Sequence, residues 1–274
     1  MVTIPPEPTP SPRPEAHQAR PIAESFGSDA ERYDRTRPRY PKALTDRIIA
    51  ASPGPGVLDV GLGTGVSAQP FQADGCRVLG VEPDDRMAEF ARHRGFEVEV
   101  ATFEEWDPAG RRFDAVIAGQ AWHWMDPVVG AAKAAELLHP GGRLAVFWNV
   151  FQPAPDLAEA FAGVYRQALP DLPVFAMAMP GLETYSRLFD KADDGIRASG
   201  ESFAEPERWQ VDWERTYTKA EWLEQVPTFG GHSQFPPGKL EELLAGIGAA
   251  VDAAGSSFTM GYAAVAVTAA RRST

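Results

Sequence analysis

The chain has 274 residues, 44% of them hydrophobic and 23% charged, with a formal net charge of −12. That length supports one large α/β domain with an appended or inserted helical part. The acidity argues against nucleic acid as the main partner, since neutralising phosphates needs a basic surface. No apolar stretch is long enough to span a bilayer, and the N-terminus shows no secretion signal. The single cysteine, Cys76, makes no intramolecular disulfide, which fits a cytoplasmic protein with no membrane partner.

Seven of the first 21 residues are proline, so residues 1–21 read as a disordered extension that cannot join a helix interior or a central strand. Residues 22–274 read as the folded domain. Ala23 to Tyr33 suits a helix anchored by Phe26 and Tyr33, ended by Pro38 and Pro41. Arg32, Arg35, Arg37, Arg39 and Lys42 crowd this stretch. They form either a solvated face balanced by Asp and Glu or a pocket edge that accepts an acidic substrate. A helix over 42–51 follows, closed by Pro53-Gly54-Pro55-Gly56.

Strand and helix then alternate. Strands are predicted at 57–60, 77–81, 96–101, 113–118 and 143–149. Helices are predicted from the glycines to about Ala73, over 86–94 and over 128–138. Continuous apolar strands separated by helices imply a parallel sheet covered on both faces. After Asn149 the rhythm changes. A helix over 154–169, a strand over 208–216, helices over 219–225 and 239–253 and a closing strand pair or long strand over 258–269 are predicted, with 151–205 inserted as a cap. The cap residues Phe151, Phe161, Tyr165, Phe175, Met177 and Met179 either line an apolar pocket or fill a small core.

The central signal is Val57-Leu58-Asp59-Val60-Gly61-Leu62-Gly63-Thr64-Gly65. A strand ends, three glycines alternate, and a helix is expected to begin. Glycine permits positive φ and leaves no Cβ between backbone and ligand, and a helix N-terminus there would bare its amides. Glu82 ends the second strand, where an acid accepts hydrogen bonds from ribose hydroxyls. Together these mark an adenosine-bearing cofactor, against the plainer reading of a tight turn with no ligand. A dinucleotide G-x-G-x-x-G would need glycine at Val66, which argues against a nicotinamide-dependent oxidoreductase. A noncatalytic cofactor-binding protein would carry the same loop. So would a nucleic-acid methyltransferase, which the acidity disfavours.

The spacing resembles motif I of the class I S-adenosylmethionine-dependent methyltransferases. The resemblance continues in order through Glu82-Pro83, Thr102-Phe103, Phe113 to Ile117, and Leu138-His139-Pro140-Gly141-Gly142. Gln120-Ala121-Trp122-His123-Trp124-Met125-Asp126 and Tyr33-Asp34 with Arg37-Pro38-Arg39-Tyr40-Pro41 resemble motifs of the type 11 small-molecule group, which includes trans-aconitate methyltransferase-like enzymes. The resemblance implies an α/β, Rossmann-like, doubly wound sheet of seven strands, mostly parallel with the last antiparallel, and helices on both faces. It implies S-adenosylmethionine as cofactor, a small-molecule methyl acceptor, and cofactor contacts from Tyr33, Asp59, Gly61, Leu62, Gly63, Gly65, Glu82, Pro83, Met87, Thr102, Phe103, Gln120 and Ala121. Thr102 departs from the pattern, since the family often has an acid there for the adenine amine. Pro70 is expected to bend the helix after the glycines.

Methyl transfer from a sulfonium is an in-line displacement, so orientation and exclusion of water carry most of it. A base is needed only when the acceptor carries a proton at neutral pH. His123 is the candidate catalytic base, or else it braces a loop. Trp122 and Trp124 either wall the substrate pocket against the sulfonium or pack in the core. The other histidines show no ligand spacing, so no metal site is expected.

Overall fold

The apolar runs read as strands assemble into one sheet in the computed structural model, which describes residues 24–170, 179 and 181–273. The strands are β1 (Gly56–Val60), β2 (Arg77–Glu82), β3 (Glu97–Val100), β4 (Phe113–Gly119), β5 (Leu138–Gln152), β6 (Glu207–Thr218) and β7 (Ser257–Ala270). Their order is β3-β2-β1-β4-β5-β7-β6. Strands β1 to β5 pair in parallel, and β7 lies antiparallel between β5 and β6. This is the seven-stranded, Rossmann-like sheet expected. The extension at 1–21 falls outside the described residues, as do Phe175 and Met177.

The sheet is buried on both sides, and alternate residues show it. Leu58, Val60, Val116, Ala118, Leu144 and Val146 join one apolar cluster. Their neighbours Val57, Ala115, Ile117, Ala145 and Phe147 join another on the opposite face. The second face is covered by helix α2 (Lys42–Ala50) through Leu44 and Ile48. Helix α1 (Ala30–Thr36) precedes it, after a 3-10 turn at Glu24–Asp29. The first face is covered by α5 (Pro127–Leu137) and α7 (Leu182–Ala198), which pack Ala131, Ala134, Phe189, Ala192 and Ile196.

Three sequence expectations give way locally. No helix starts at the glycines. Residues 61–68 form consecutive turns, and α3 (Gln69–Ala73) begins later. Gly61, Gly63 and Gly65 hold φ of 69°, 60° and 91°, which a right-handed helix excludes. Pro70 then sits in the first turn of α3, where its missing N–H is not required, so it bends nothing. Strand β5 also outruns the predicted 143–149, because β7 pairs with it from Arg143 to Gln152.

Beyond that point the long strands carry a second core. Leu157, Phe161 and Tyr165 of α6 (Pro155–Ala168) meet Trp222 of α8 (Lys219–Gln225). Leu243, Ile247 and Val251 of α9 (Pro237–Ala253), with Tyr217, Met260 and Tyr262 from the strands, complete it. Within 151–205, α6 joins this second core, whereas α7 lies on the main sheet. Helix α8 starts where Thr218 and Glu221 form a reciprocal capping box. Among the described residues, no helix is long and apolar enough to cross a membrane.

Trp222 is fully buried, with ring contacts to Phe151, Phe161, Tyr217, Phe229 and Phe258. Trp222→Ala should cost about 3–5 kcal/mol in urea unfolding, from lost burial plus the cavity left behind. A loss below about 1 kcal/mol would show that this core collapses around the gap or adds little to stability.

Candidate active site

Strand β1 has β2 on one side and β4 on the other, so the chain leaves it in opposite directions at this point of the sheet. The crevice beyond the strands' C-terminal ends is where open α/β sheets bind ligands. A cleft lies there, bordered by Gly61, Leu62 and Gly63 after β1, Glu82 and Pro83 after β2, and Gln120 and Ala121 after β4.

The turn is held in place by its own backbone bonds. Gly61 and Leu62 donate to the Val81 carbonyl at 2.8 and 3.3 Å, and Gly65 donates to Leu62 at 3.0 Å. Gly63 donates to Glu82 Oε2 at 2.8 Å. These four amides are engaged within the chain, contrary to the expectation that the loop bares them. What the turn offers is proximity. A Cβ at Gly63 would meet nothing within 4 Å, so the missing side chain leaves that space to the cleft. Glu82 is only 7% exposed, and its Oε1 accepts from the Asp84 amide at 2.9 Å. Burial pushes its carboxyl up to about 7, against the pull of the two amides. One carboxylate thus fixes the loop and still faces the cleft with free lone pairs.

Behind the loop, Asp59 is wholly buried and accepts from Ser67 Oγ at 2.6 Å, bracing the turn. Burial lifts it to about 7 as well, and the nearby Glu82 charge adds to the rise. Asp59 and Gly65 do not line the cleft; a Cβ at Gly65 would collide with the Phe96 ring.

Met87, Thr102 and Phe103 line the same cleft, beyond Glu82. Thr102 Oγ1 donates to Glu105 at 3.1 Å. Glu104 also lines the wall, so an acid stands beside Thr102 after all. On the far side Gln120 has a φ of 56°, a conformation uncommon outside glycine. Its amide bonds to the Phe147 carbonyl at 2.8 Å and its Nε2 to the Asn149 carbonyl at 2.9 Å, which hold it there. Tyr33 and Trp124 close the mouth, both against Phe26, at 5.7 and 6.4 Å between ring centroids.

Two of the predicted residues point elsewhere. Trp122 is 2% exposed and packs in the main core near Phe103. His123 does not line the cleft; its Nδ1 accepts from Trp148 Nε1 at 3.3 Å, in a separate hollow beside Lys191 and Ala192. Burial drops it to about 4, so it is neutral at pH 7. In the 3-10 turn at Trp122–Trp124, Trp122 enters the core, whereas the His123 ring packs 4.6 Å from the Trp124 ring, which lines the cleft. Sequence reasoning missed Phe26, Tyr40, Asp84 and Asn149 as lining residues. Tyr40 lay inside a motif already noted, whereas Asn149 lies within β5 with no signal of its own.

Residues 58–146 match the family profile described as a methyltransferase domain. An uncharacterized methyltransferase of Mycobacterium tuberculosis (strain H37Rv) is 38% identical over 133 residues, covering 47% of this chain and 54% of that protein. The chain thus spans about half the length of the first curated relatives it matches. A demethylmenaquinone methyltransferase of Tropheryma whipplei is 27% identical over 176 residues, covering 60% of this chain and 73% of that protein. In fold, the chain is similar to a putative type II methyltransferase from Anaeromyxobacter dehalogenans, with a TM-score of 0.60 at 23% identity over 86% of this chain and 97% of that one. Over residues 58–146 the chain is therefore similar to a methyltransferase domain, and its fold is similar to that of this solved structure.

Proposed function

We propose that the chain transfers a methyl group from S-adenosylmethionine to a small-molecule acceptor, in the cleft beyond β1 and β4. The observation that carries this is the pairing of a buried Glu82 carboxylate with the side-chain-free space over Gly63, at the sheet's switch point. The residues fit a nucleoside: an acid for the ribose, an open glycine surface beside it, and Met87 and Phe103 as apolar walls for adenine, with Thr102 and Glu104 at their edge. When bound, the cofactor supplies a methyl group on a positively charged sulfur. The chain's own part is to orient and dehydrate. In our reading Glu82 grips the ribose, with Leu62 and Pro83 flanking it, and Gln120 and Ala121 border the amino-acid end. Tyr33, Phe26 and Trp124 turn aromatic faces to the positive charge and keep water out.

The acceptor class rests on the small-molecule relatives, among them the demethylmenaquinone methyltransferase. Nucleic acid does not suit a chain of net charge −12. We place the protein in a reducing, cytoplasmic setting, which suits its buried free thiol at Cys76. His123, neutral and bonded to Trp148, is a brace in this account, and orientation rather than proton abstraction drives transfer. A solved cyclase shares this fold with a TM-score of 0.52 at 18% identity over 96% of this chain. Binding and methyl transfer are therefore tested separately.

Calorimetry should show S-adenosylhomocysteine binding and no comparable affinity for NAD; the reverse preference would sink the assignment. Labelled methyl should then pass to at least one member of a panel of acids, phenols and quinols. Glu82→Gln should weaken cofactor binding by about 10- to 100-fold, from loss of charge-assisted bonds, with the fold retained by circular dichroism. Unchanged affinity would refute the ribose role.

The ribose hydroxyls need Glu82 ionised, and its carboxyl titrates near 7 instead of its ordinary 4.5. Affinity should therefore tighten by about 10-fold from pH 6 to pH 8, with proton release on binding. The free protein should behave oppositely. Asp59 and Glu82 both hold protons more tightly folded than unfolded, so their contribution to stability falls as pH rises from about 4 to about 7. A flat affinity profile from pH 6 to pH 8 would contradict the assignment. His123→Asn should keep methyl transfer within about 10-fold, whereas a general base would cost about 100-fold or more with binding intact.

A further inference from the structure

The basic run at the start of the domain is compensated residue by residue, with one exception. Arg32 pairs with Asp29 at 3.3 Å and Arg35 with Glu31 and Glu224. Arg39 pairs with Asp34 at 3.3 Å, and Lys42 with Asp46 and Asp74 at 2.5 and 2.8 Å. Among the described residues, no carboxylate lies within ion-pair distance of Arg37. One of its terminal nitrogens donates to the Thr228 carbonyl, and its Nε is sealed from water with no acceptor.

The surroundings of Arg37 sharpen the contrast. Its guanidinium lies 4.6 Å from the centroid of Tyr33, 5.6 Å from Phe229 and 5.8 Å from Phe26. Aromatic faces attract a cation but give its in-plane N–H donors no acceptor. A guanidinium presents five donors in a planar fork that matches a carboxylate in bidentate fashion. Partly desolvated and short of acceptors, it stands where such a partner would be worth most. Arg37 also lines the cleft, beside Tyr33 and Tyr40.

We propose that Arg37 is the counter-ion for a ligand carboxylate bound in the cleft. The inference rests on the reading that this cleft holds S-adenosylmethionine. Two carboxylates satisfy the same chemistry: the amino-acid end of the cofactor, and an acid group on the acceptor. The aromatic rings hold the fork flat and exclude water, and Thr228 fixes one of its prongs, so the remaining donors are already oriented before the ligand arrives. The other basic residues of the run have their partners and form a balanced outer face.

The experiment compares the full chain with Arg37→Gln and Arg37→Lys by calorimetry. The probes are S-adenosylhomocysteine, 5′-methylthioadenosine (which lacks the carboxylate), and benzoate and succinate added to protein saturated with S-adenosylhomocysteine. If the cofactor supplies the carboxylate, Arg37→Gln weakens S-adenosylhomocysteine by about 10- to 100-fold and leaves 5′-methylthioadenosine unchanged. If the acceptor supplies it, S-adenosylhomocysteine is unchanged and binding of the acids is lost in Arg37→Gln. In either case Arg37→Lys falls between, since a point charge replaces a fork. Equal weakening of both nucleosides overturns the proposal, as does a Gln variant that matches the unaltered chain for every probe. Failure of the unaltered chain to bind either nucleoside instead overturns the cofactor reading beneath it, so the two failures are distinguishable.

Discussion

The Glu82 carboxylate is nine-tenths removed from water, accepts the amide protons of Gly63 and Asp84, and still faces the cleft. That position sets what the neighbouring segments can do. The bond to Gly63 ties the end of β2 to the turn after β1, in a conformation with φ near 60° that only glycine adopts without strain. The bond to Asp84 orients the start of α4 (Asp85–His93), whose first turn Asp84 caps through Arg86 N at 2.9 Å. Asp84 also abuts Gly27, where no Cβ would fit, so the N-terminal segment reaches the same rim. A buried acid is costly, and its raised proton affinity reflects that cost. A donor from a sugar hydroxyl would offset part of it.

The rest of the molecule serves to place this rim. Strand order brings β1 between β2 and β4, and that alone sets the Glu82 and Gln120 ends on either side of the glycine turn. Contacts to the second core and to α4 then hold the N-terminal segment that lines the mouth. Arg35 reaches Glu224 on α8, Arg37 reaches the Thr228 carbonyl, and Asp34 binds Arg94 at the end of α4. Phe26, Tyr33 and Trp124 are consequently held over the cleft by contacts from both cores.

The central strands were legible in the sequence because they are buried on both faces and read as unbroken apolar runs. The start of helix α8 was legible because Thr218 and Glu221 form a local cap there. The helix expected at the glycines was not there, because three positive-φ residues outweigh the pattern around them. The second core was illegible because Leu157, Trp222, Leu243 and Tyr262 are far apart along the chain and carry no shared period. At the site, Gly61, Gly63 and Glu82 could be read from spacing alone, since strand ends fix their positions. The Trp122-His123-Trp124 triplet could not be oriented from sequence, because one 3-10 turn decides which ring faces the cleft. Arg37 was visible only as one of several basic residues; its isolation emerges once each neighbour's carboxylate is located.

The central claim is that the acid ending β2 grips the sugar of a nucleoside lying over Gly63. A crystal structure of the chain grown with S-adenosylhomocysteine tests it most directly. The account predicts both ribose hydroxyls within hydrogen-bond distance of the Glu82 carboxylate and the nucleoside against the bare face of Gly63. A nucleoside seated elsewhere, or in this cleft with its ribose turned away from Glu82, would contradict it.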